Sequence, residues 1–427
     1  MIQKPMSRFF LLVTALCCML VAFRNDNRDG KNKMLVEDNF QYAQRQLKAM
    51  LQETKSNTKS FPRSINEAGK LVSTDMYDWT SGFFPGSLWY AYEYTKDTTL
   101  KTAAIKWTEG LAPLQYFTKH HDLGFMMYCS YGNAYRLTGN KAYRDILIQS
   151  AKSLSTRFNP VTGSIKSWNI FKTWHDNKTY NFPVIIDNMM NLELLFFASK
   201  ITGDTSFRYI AVTHALTAMK NQVRPDFSTF HVVCYDTITG AVTCRETAQG
   251  YADNSTWSRG QAWGIYGFTM AYRETKDQRF LETAQKMADW YLSQSELPKD
   301  KVPYWDFNTM EKGYVPGIKS YAKNVTVKYR DASAAAITAS ALFELSTYVG
   351  RNSKTYYNAA VQMLESLTGP AYKALPGTNG NFLLKHSVGS IPHNSEIDVP
   401  LVYADYYLLE ALMRYNRLLQ GKNVLND

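Results

Sequence analysis

Cysteine is scarce in this chain. There are five in 427 residues, and two of them, Cys17 and Cys18, lie in an apolar N-terminal run. The other three, Cys129, Cys234 and Cys244, are odd in number and two of them sit in helix-like or strand-like contexts, which argues against a disulfide framework. No Cys/His spacing fits a zinc site, so no metal is expected. A membrane-length apolar run is also missing. The N-terminal run, Phe9 to Phe23, has fifteen residues, short of the roughly twenty that a spanning helix needs. Clustered charge is absent too. Lys plus Arg number 48 against 37 Asp plus Glu, a net charge of +11, yet the basic residues are dispersed. Dispersion excludes a nucleic-acid stripe. A diffuse positive field either helps capture anionic oligosaccharides or serves solubility alone.

What is plentiful is apolar and aromatic. The chain is 45% hydrophobic and 14% aromatic, with 29 Tyr, 22 Phe and 9 Trp, which permits a large core and excludes disorder. Surplus rings suit clefts where sugar C–H faces stack, while a ring-rich helical core is the plainer account of most of them. The N-terminus reads as an export signal: Lys4 and Arg8, then Phe9 to Phe23, then the polar Arg24-Asn25-Asp26-Asn27. It has no Ala-x-Ala cleavage site. Leu12-Val13-Thr14-Ala15-Leu16 before Cys17 and Cys18 faintly resembles a lipoprotein box, so lipid anchoring is the minority expectation. The expectation is an export signal over 1–24, followed by one catalytic domain over 25–427 with no dividing linker.

A phrase recurs through the mature chain: an apolar helix, a turn of Thr with Gly or Lys and Asp or Asn, then a second helix. It appears at Tyr94-Thr95-Lys96-Asp97, Leu137-Thr138-Gly139-Asn140, Ile201-Thr202-Gly203-Asp204, Glu274-Thr275-Lys276-Asp277 and Tyr348-Val349-Gly350-Arg351-Asn352. Gly ends one helix and Asp or Asn caps the next. First helices are expected near Phe84, Gly124, Asp187, Arg259, Asp331 and Val399. Six hairpins predict an all-α fold, an (α/α)6 barrel or toroid, with rim loops and short β segments. The small and aromatic first helices form its inner ring, and their N-terminal ends converge on one mouth. The β-like part is Phe230 to Asp236 followed by Ala241 to Cys244.

Two carboxylates stand at such helix starts: Asp122 in His121-Asp122-Leu123-Gly124-Phe125, and Asp187 in Ile186-Asp187-Asn188-Met189-Met190-Asn191. Either could be a plain N-cap. Asn188 and Asn191 are poor choices for a purely structural inner helix, which weakens that explanation for Asp187. Two acids in one pocket perturb each other, raising the pKa of one and making a proton donor near neutral pH. Arg259, in Trp257-Ser258-Arg259-Gly260-Gln261-Ala262-Trp263, either holds a uronate carboxylate or forms an inter-helix ion pair. Trp79, Trp168, Trp257 and Trp263 either stack on sugar or fill the core. His231 and Gln249 lie on the long rim segment, where a solvated loop position is the simpler reading.

Together with Asp78-Trp79-Thr80-Ser81-Gly82-Phe83-Phe84-Pro85-Gly86, Ser395-Glu396-Ile397-Asp398-Val399-Pro400-Leu401 and Tyr403-Ala404-Asp405-Tyr406-Tyr407, these motifs resemble unsaturated glucuronyl hydrolases, glycoside hydrolase family 88. The resemblance runs in order from about Asp75 to Tyr407. It implies an (α/α)6 barrel and no metal or organic cofactor. It implies a substrate left by polysaccharide lyases: a short oligosaccharide, of glycosaminoglycan type, ending in a 4,5-unsaturated uronic acid. Asp187 would be the general acid/base and Asp122 the second essential carboxylate. His231, Gln249, Arg259 and Trp263 match positions that contact the unsaturated sugar or the catalytic water. Trp79 and Trp168 match stacking positions, with Trp174 competing for the latter. Members favouring sulfated disaccharides carry Ser-x-x-Ser-x-Lys. Here Ser387 and Ser390 are present but Pro392 replaces the Lys, which predicts weaker selection for sulfate, unless Lys385, His386 or His393 substitutes.

Two other readings compete: an unsaturated rhamnogalacturonyl hydrolase acting on pectin fragments, and a non-catalytic glycan-binding toroid. The His231, Gln249 and Arg259-to-Trp263 set favours the glucuronyl group, and the presence of both aspartates argues against a mere binder. Export implies a periplasmic or surface location in a Gram-negative bacterium. Oligomeric state is left open, and neither nucleic acid nor a membrane span is expected.

Overall fold

A computed structural model describes residues 7–55 and 57–425, with side chains from residue 30 onward. The expected export segment, 1–24, therefore lies outside the fully described residues. Among the described residues no helix is long and apolar enough to cross a membrane.

The recurring turns fold as their chemistry dictates. Helices α2 (Phe83–Thr95) and α3 (Thr98–Glu109) meet at Lys96, which is left-handed, and at Asp97, whose carboxylate accepts the Thr99 N–H. The same device joins α5 (Asn133–Thr138) to α6 (Lys141–Ser155) through Gly139 and Asn140. It joins α7 (Leu192–Thr202) to α8 (Thr205–Asn221) through Gly203 and Asp204. It joins α9 (Ser258–Thr275) to α10 (Gln278–Ser293) through Lys276 and Asp277. A left-handed residue satisfies the last carbonyls of one helix and a short polar side chain satisfies the first N–H groups of the next. The fifth turn departs from this: Asn352, between α11 (Ala332–Ser346) and α12 (Ser353–Leu367), makes no side-chain cap.

The second inner helix is interrupted. A short α4 (Leu123–Met127) passes through a π turn at Tyr128–Gly132 into α5. The third begins as a 3₁₀ turn, Ile186–Asn191, before α7. The last inner helix is α13 (Val402–Leu419). Its outer partner comes from the other end of the chain, α1 (Ser7–Glu53), which packs on α13, α2 and α3. Val36, Phe40, Ala43, Leu47 and Met50 form its buried stripe, alternating four and three residues apart as a helix face requires.

Contacts run from α13 to α2, through the π turn and α4 to the 3₁₀ turn, then α9, α11 and back to α13. The ring of inner helices is closed, and the fold is the expected (α/α)6 barrel. Inner helices are buried on all sides, as α11 is from Ala332 to Ser346, whereas outer α10 is amphipathic, burying Phe280, Ala284, Met287 and Tyr291. A three-stranded antiparallel sheet, Pro183–Ile185, Val232–Tyr235 and Val242–Glu246, caps part of the rim. A second hairpin pairs Ser387–Ser390 with Ser395–Val399.

Candidate active site

The N-terminal ends of the inner helices meet, and Arg259, in the first turn of α9, shows it. Its guanidinium bonds the carboxylate of Asp331 at the start of α11 (3.0 Å) and lies over the ring of Tyr403 at the start of α13 (5.3 Å to the centroid). At the neighbouring stretch, α4 and the 3₁₀ turn approach closely because residue 124 is glycine: a Cβ there would stand 2.4 Å from Asn191 Cα. Asn191 fills the junction, accepting the Phe125 N–H (2.9 Å) and donating to His121 Nδ1 (3.3 Å). Of the two candidate carboxylates, Asp122 stands just before Gly124 in its segment and Asp187 lies in the turn that ends at Asn191.

Neither carboxylate is a cap. Asp122 occupies the N-cap position of α4 without a side-chain cap bond, and Asp187 lies inside its 3₁₀ turn. Asp331, by contrast, is a true cap, accepting the Ser333 N–H (3.0 Å) and hydroxyl (2.5 Å). Asp122 instead faces two imidazoles, His120 Nδ1 at 3.1 Å and His121 Nε2 at 3.3 Å. Burial pushes the Asp122 pKa up, but the neighbouring His121 and His120 outweigh it and hold the carboxyl below its ordinary value. His120 points Nε2 at the Tyr77 carbonyl (3.1 Å), and despite burial its pKa is raised by the Asp122 carboxylate. Burial pushes His121 down to about 4, so it stays neutral. Its Nδ1 takes the Asn191 amide, which leaves the proton on Nε2 toward Asp122.

Asp187 has the opposite character. It is 7% exposed, and its Oδ2 has no hydrogen-bond partner among the described residues. Burial raises its pKa to about 7; Asp122 adds to the rise, while Arg259 and the indole N–H of Trp263 act against it. His231 Nε2 stands 3.8 Å from Oδ2. His231 Nδ1 accepts the N–H groups of Ala248 and Gln249, each at 3.2 Å, so the ring proton lies on Nε2. Burial, with Arg259 nearby, holds this imidazole neutral. One sheet delivers these parts: Ile185 precedes Ile186-Asp187, His231 precedes the central strand, and the third strand leads to residues 247–249.

The other expected residues divide. Arg259 is 1% exposed and committed: besides Asp331 it donates to the Val388 carbonyl and, at 2.6 Å, to that of Gly389. In the chain as it stands, the inter-helix ion pair is the arrangement present. Gln249 reaches the same Gly389 carbonyl at 3.2 Å, and so is tied to the 387–399 hairpin rather than solvated. Trp257 is buried against His231 (4.4 Å) and beneath Arg259 (4.4 Å). Trp263 is buried between Phe125 and Tyr407, so both are core rings with no open face. Trp79, packed on Tyr403 at 4.9 Å, and Trp168, edge-on to His231 at 6.4 Å, are only half-buried. Trp174 lies farther along the rim, donating to the Ala248 carbonyl and meeting His393 at 4.7 Å.

Ser387 is buried with a hydroxyl that has no hydrogen-bond partner among the described residues, and half-buried Ser390 bonds His393 Nδ1 at 2.6 Å. Of the three candidates to stand in for the missing Lys, Lys385 bonds the Pro370 carbonyl and His386 bonds Asp398; only His393 reaches a serine of the motif. Among the described residues no group of three or more His, Cys, Asp or Glu is placed to hold a metal ion.

This geometry meets its relatives. A family model described as Glycosyl Hydrolase Family 88 matches residues 52–274. Over 362 residues the chain is 48% identical to an unsaturated glucuronyl hydrolase of Formosa agariphila, spanning 84% of this chain and 86% of that one. The chain belongs to glycosyl hydrolase family 88. It is also 35% identical to an unsaturated chondroitin disaccharide hydrolase of Streptococcus agalactiae, over 83% of this chain and 85% of the relative. A crystal structure of an unsaturated glucuronyl hydrolase specific for heparin matches with a TM-score of 0.83 and 44% identity, covering 91% of this chain and 99% of that one.

Sequence reasoning missed part of this candidate site. His120 and His121 had no assigned role beside Asp122. Asp331 was seen only as a helix start. Arg63, which bonds Glu396 at 2.6 and 3.0 Å and also pairs with Asp78, ties the 387–399 hairpin to the segment before Trp79. The adjacency of His120 and Asp122 was a usable signal; the Arg63 link spans over 300 residues and had none.

Proposed function

We propose that this enzyme removes a 4,5-unsaturated uronic acid from the non-reducing end of lyase-generated oligosaccharides of glycosaminoglycan type. The observation that carries the reading is a pair of buried carboxyls in opposite surroundings: Asp187 Oδ2 has no hydrogen-bond partner among the described residues and burial pushes its pKa up to about 7, while Asp122 faces two imidazoles that hold it below its ordinary value. Such a pair supplies a proton donor and a fixed negative charge at one pH.

The C4=C5 bond of the substrate is an enol ether. Protonated Asp187 gives its proton to C4, and the ring oxygen stabilises the cationic centre left at C5. Water adds at C5 as the Asp187 carboxylate accepts its proton, so the residue ends as it began. The product is a hemiketal. Its ring opens to a C5 ketone, leaving a hemiacetal at C1 that expels the partner sugar. Ionised Asp122 and the neutral Nε2–H of His231 sit where they orient Asp187 and water. Half-buried Trp79 and Trp168 offer stacking faces, and Gln249, Arg259 and Trp263 hold the walls. Ser387 and Ser390 lie on the hairpin that borders the site. The sequence features Lys4, Arg8 and Phe9 to Phe23 support an exported, periplasmic enzyme with a signal over 1–24 and its catalytic domain over 25–427.

The test is turnover on unsaturated hyaluronan, chondroitin and heparin disaccharides beside an unsaturated rhamnogalacturonan disaccharide, read as loss of the ultraviolet absorbance of the unsaturated ring. Turnover of a glycosaminoglycan disaccharide is expected. Preference for the pectin fragment, or binding without turnover, would replace this reading with one of its rivals.

A further inference from the structure

The rim sheet places two thiols together. Cys234 and Cys244 are directly opposite each other on the antiparallel strands Val232–Tyr235 and Val242–Glu246. Both join one apolar cluster with Phe171, Ile185, Val232 and Ala248, so they share a face. Directly opposed residues of an antiparallel pair have Cα atoms about 4.5–5.5 Å apart, within the roughly 4.4–6.8 Å a disulfide spans. Cys234 is buried and Cys244 half-buried, so an oxidant reaches Cys244 first. Cys129 lies apart, in the π turn of the inner ring.

We propose that Cys234 and Cys244 form a disulfide in an oxidising compartment, locking the hairpin that presents His231 to Asp187. The His231 ring stands one residue before the first of these strands, and its Nδ1 is held by the N–H groups of Ala248 and Gln249, just beyond the second. Both ends of that contact are thus carried by the strands the bond joins. The oxidant is the disulfide of a thiol oxidoreductase, or oxidised glutathione in the tube. The Cys244 thiolate attacks it, forming a mixed disulfide and releasing one thiolate. The Cys234 thiolate then attacks Cys244 Sγ and expels the second thiolate, two protons having gone to solvent. In the cell this rests on the export reading; in the tube it does not.

The experiment treats the purified full chain with oxidised or reduced glutathione, alkylates, digests with trypsin and weighs the peptide that carries both cysteines. After oxidation that peptide is expected unalkylated and about 2 mass units lighter, reversibly on reduction, with Cys129 still alkylatable once the protein is denatured. The oxidised wild type is expected to melt higher than the reduced, and Cys244→Ser to show no such difference while keeping its turnover. Two alkylatable thiols after oxidation, or equal melting of the oxidised and reduced forms, would overturn the proposal. The same peptide from the native host separates the two readings. A reduced pair in protein retained in the cytoplasm overturns export, whereas a reduced pair in protein shown to be exported overturns the disulfide.

Discussion

The two halves of the inner ring treat buried charge in opposite ways. Toward the C-terminal ends of the helices every carboxylate has a partner. Arg273 bridges Glu193, Glu274 and Glu344, and Arg414 bonds Glu344 at 3.1 Å and the Tyr266 hydroxyl at 2.7 Å. Glu410 accepts from Tyr90, Tyr266 and Ser340. A cavity of about 310 Å³ is lined in part by Tyr90, Glu193, Tyr266, Glu410 and Arg414, whose charged groups are paired. At the N-terminal ends Asp187 Oδ2 is buried with no hydrogen-bond partner among the described residues, and Asp122 faces imidazoles. Both halves bury charge at a cost in desolvation. The first recovers it by pairing and holds the ring; in the second Asp331 is paired with Arg259 and Asp122 with imidazoles, while Asp187 Oδ2 has no hydrogen-bond partner among the described residues and burial raises the Asp187 pKa to about 7.

The contrast can be broken from either side. Asp122→Asn is expected to lower kcat by about 10²–10⁴-fold, the scale of an acid–base contribution, with little change in melting. If only the melting temperature moved, Asp122 would belong with the structural carboxylates. Glu344→Gln at the other end is expected to cost about 1–3 kcal/mol by removing the carboxylate that Arg273 and Arg414 share, their other partners remaining, while the folded fraction keeps its turnover. Denaturant unfolding beside specific activity reads both.

A smaller effect concerns pH. Burial raises Asp187 from 3.8 to about 7. A raised carboxyl favours the folded state fully below its unfolded pKa, and that contribution is lost as pH rises to the folded value. Between about pH 4 and 7 wild type should therefore lose stability relative to Asp187→Asn, by a few kcal/mol at most. The comparison with the variant is needed because burial also raises Glu193 to about 7 and Asp405 to about 8. A gap that stays constant with pH would mean Asp187 is ionised throughout.

The smallest effect tests the hairpin. Burial lowers the pKa of His393, so at neutral pH it brings no charge to Ser390. The preference for a sulfated over an unsulfated disaccharide should stay below the roughly tenfold that one charge-assisted bond provides. Kinetics on matched disaccharides, with wild type and Pro392→Lys, measure it.

How much of this was legible follows from range. The turns at Lys96-Asp97, Gly139-Asn140, Gly203-Asp204 and Lys276-Asp277 are local devices, readable because each residue acts on its own helix ends. The inner-helix starts and both candidate aspartates followed from them. Helix α1 did not, although Val36, Phe40, Ala43, Leu47 and Met50 display its stripe; it is the outer partner of α13, nearly the whole chain away. For the same reason the partners of Arg259 stayed ambiguous: the carbonyls of Val388 and Gly389 are about 130 residues distant. Whether an Asp caps a helix is also invisible in sequence. Asp122, Asp187 and Asp331 all stand at helix starts, and only the folded chain separates the cap from the other two.

The most direct test of the unmatched carboxyl is Asp187→Asn, with the pH dependence of kcat and the melting temperature measured on the same preparations as wild type. We expect wild-type kcat to fall as pH rises through about 7, as the donor form of Asp187 is lost. We expect the variant to lose turnover by about 10²–10⁴-fold at every pH while melting at or above the wild-type temperature. A variant that keeps the wild-type pH profile and most of its turnover, or one that unfolds as Glu344→Gln does, would contradict the account.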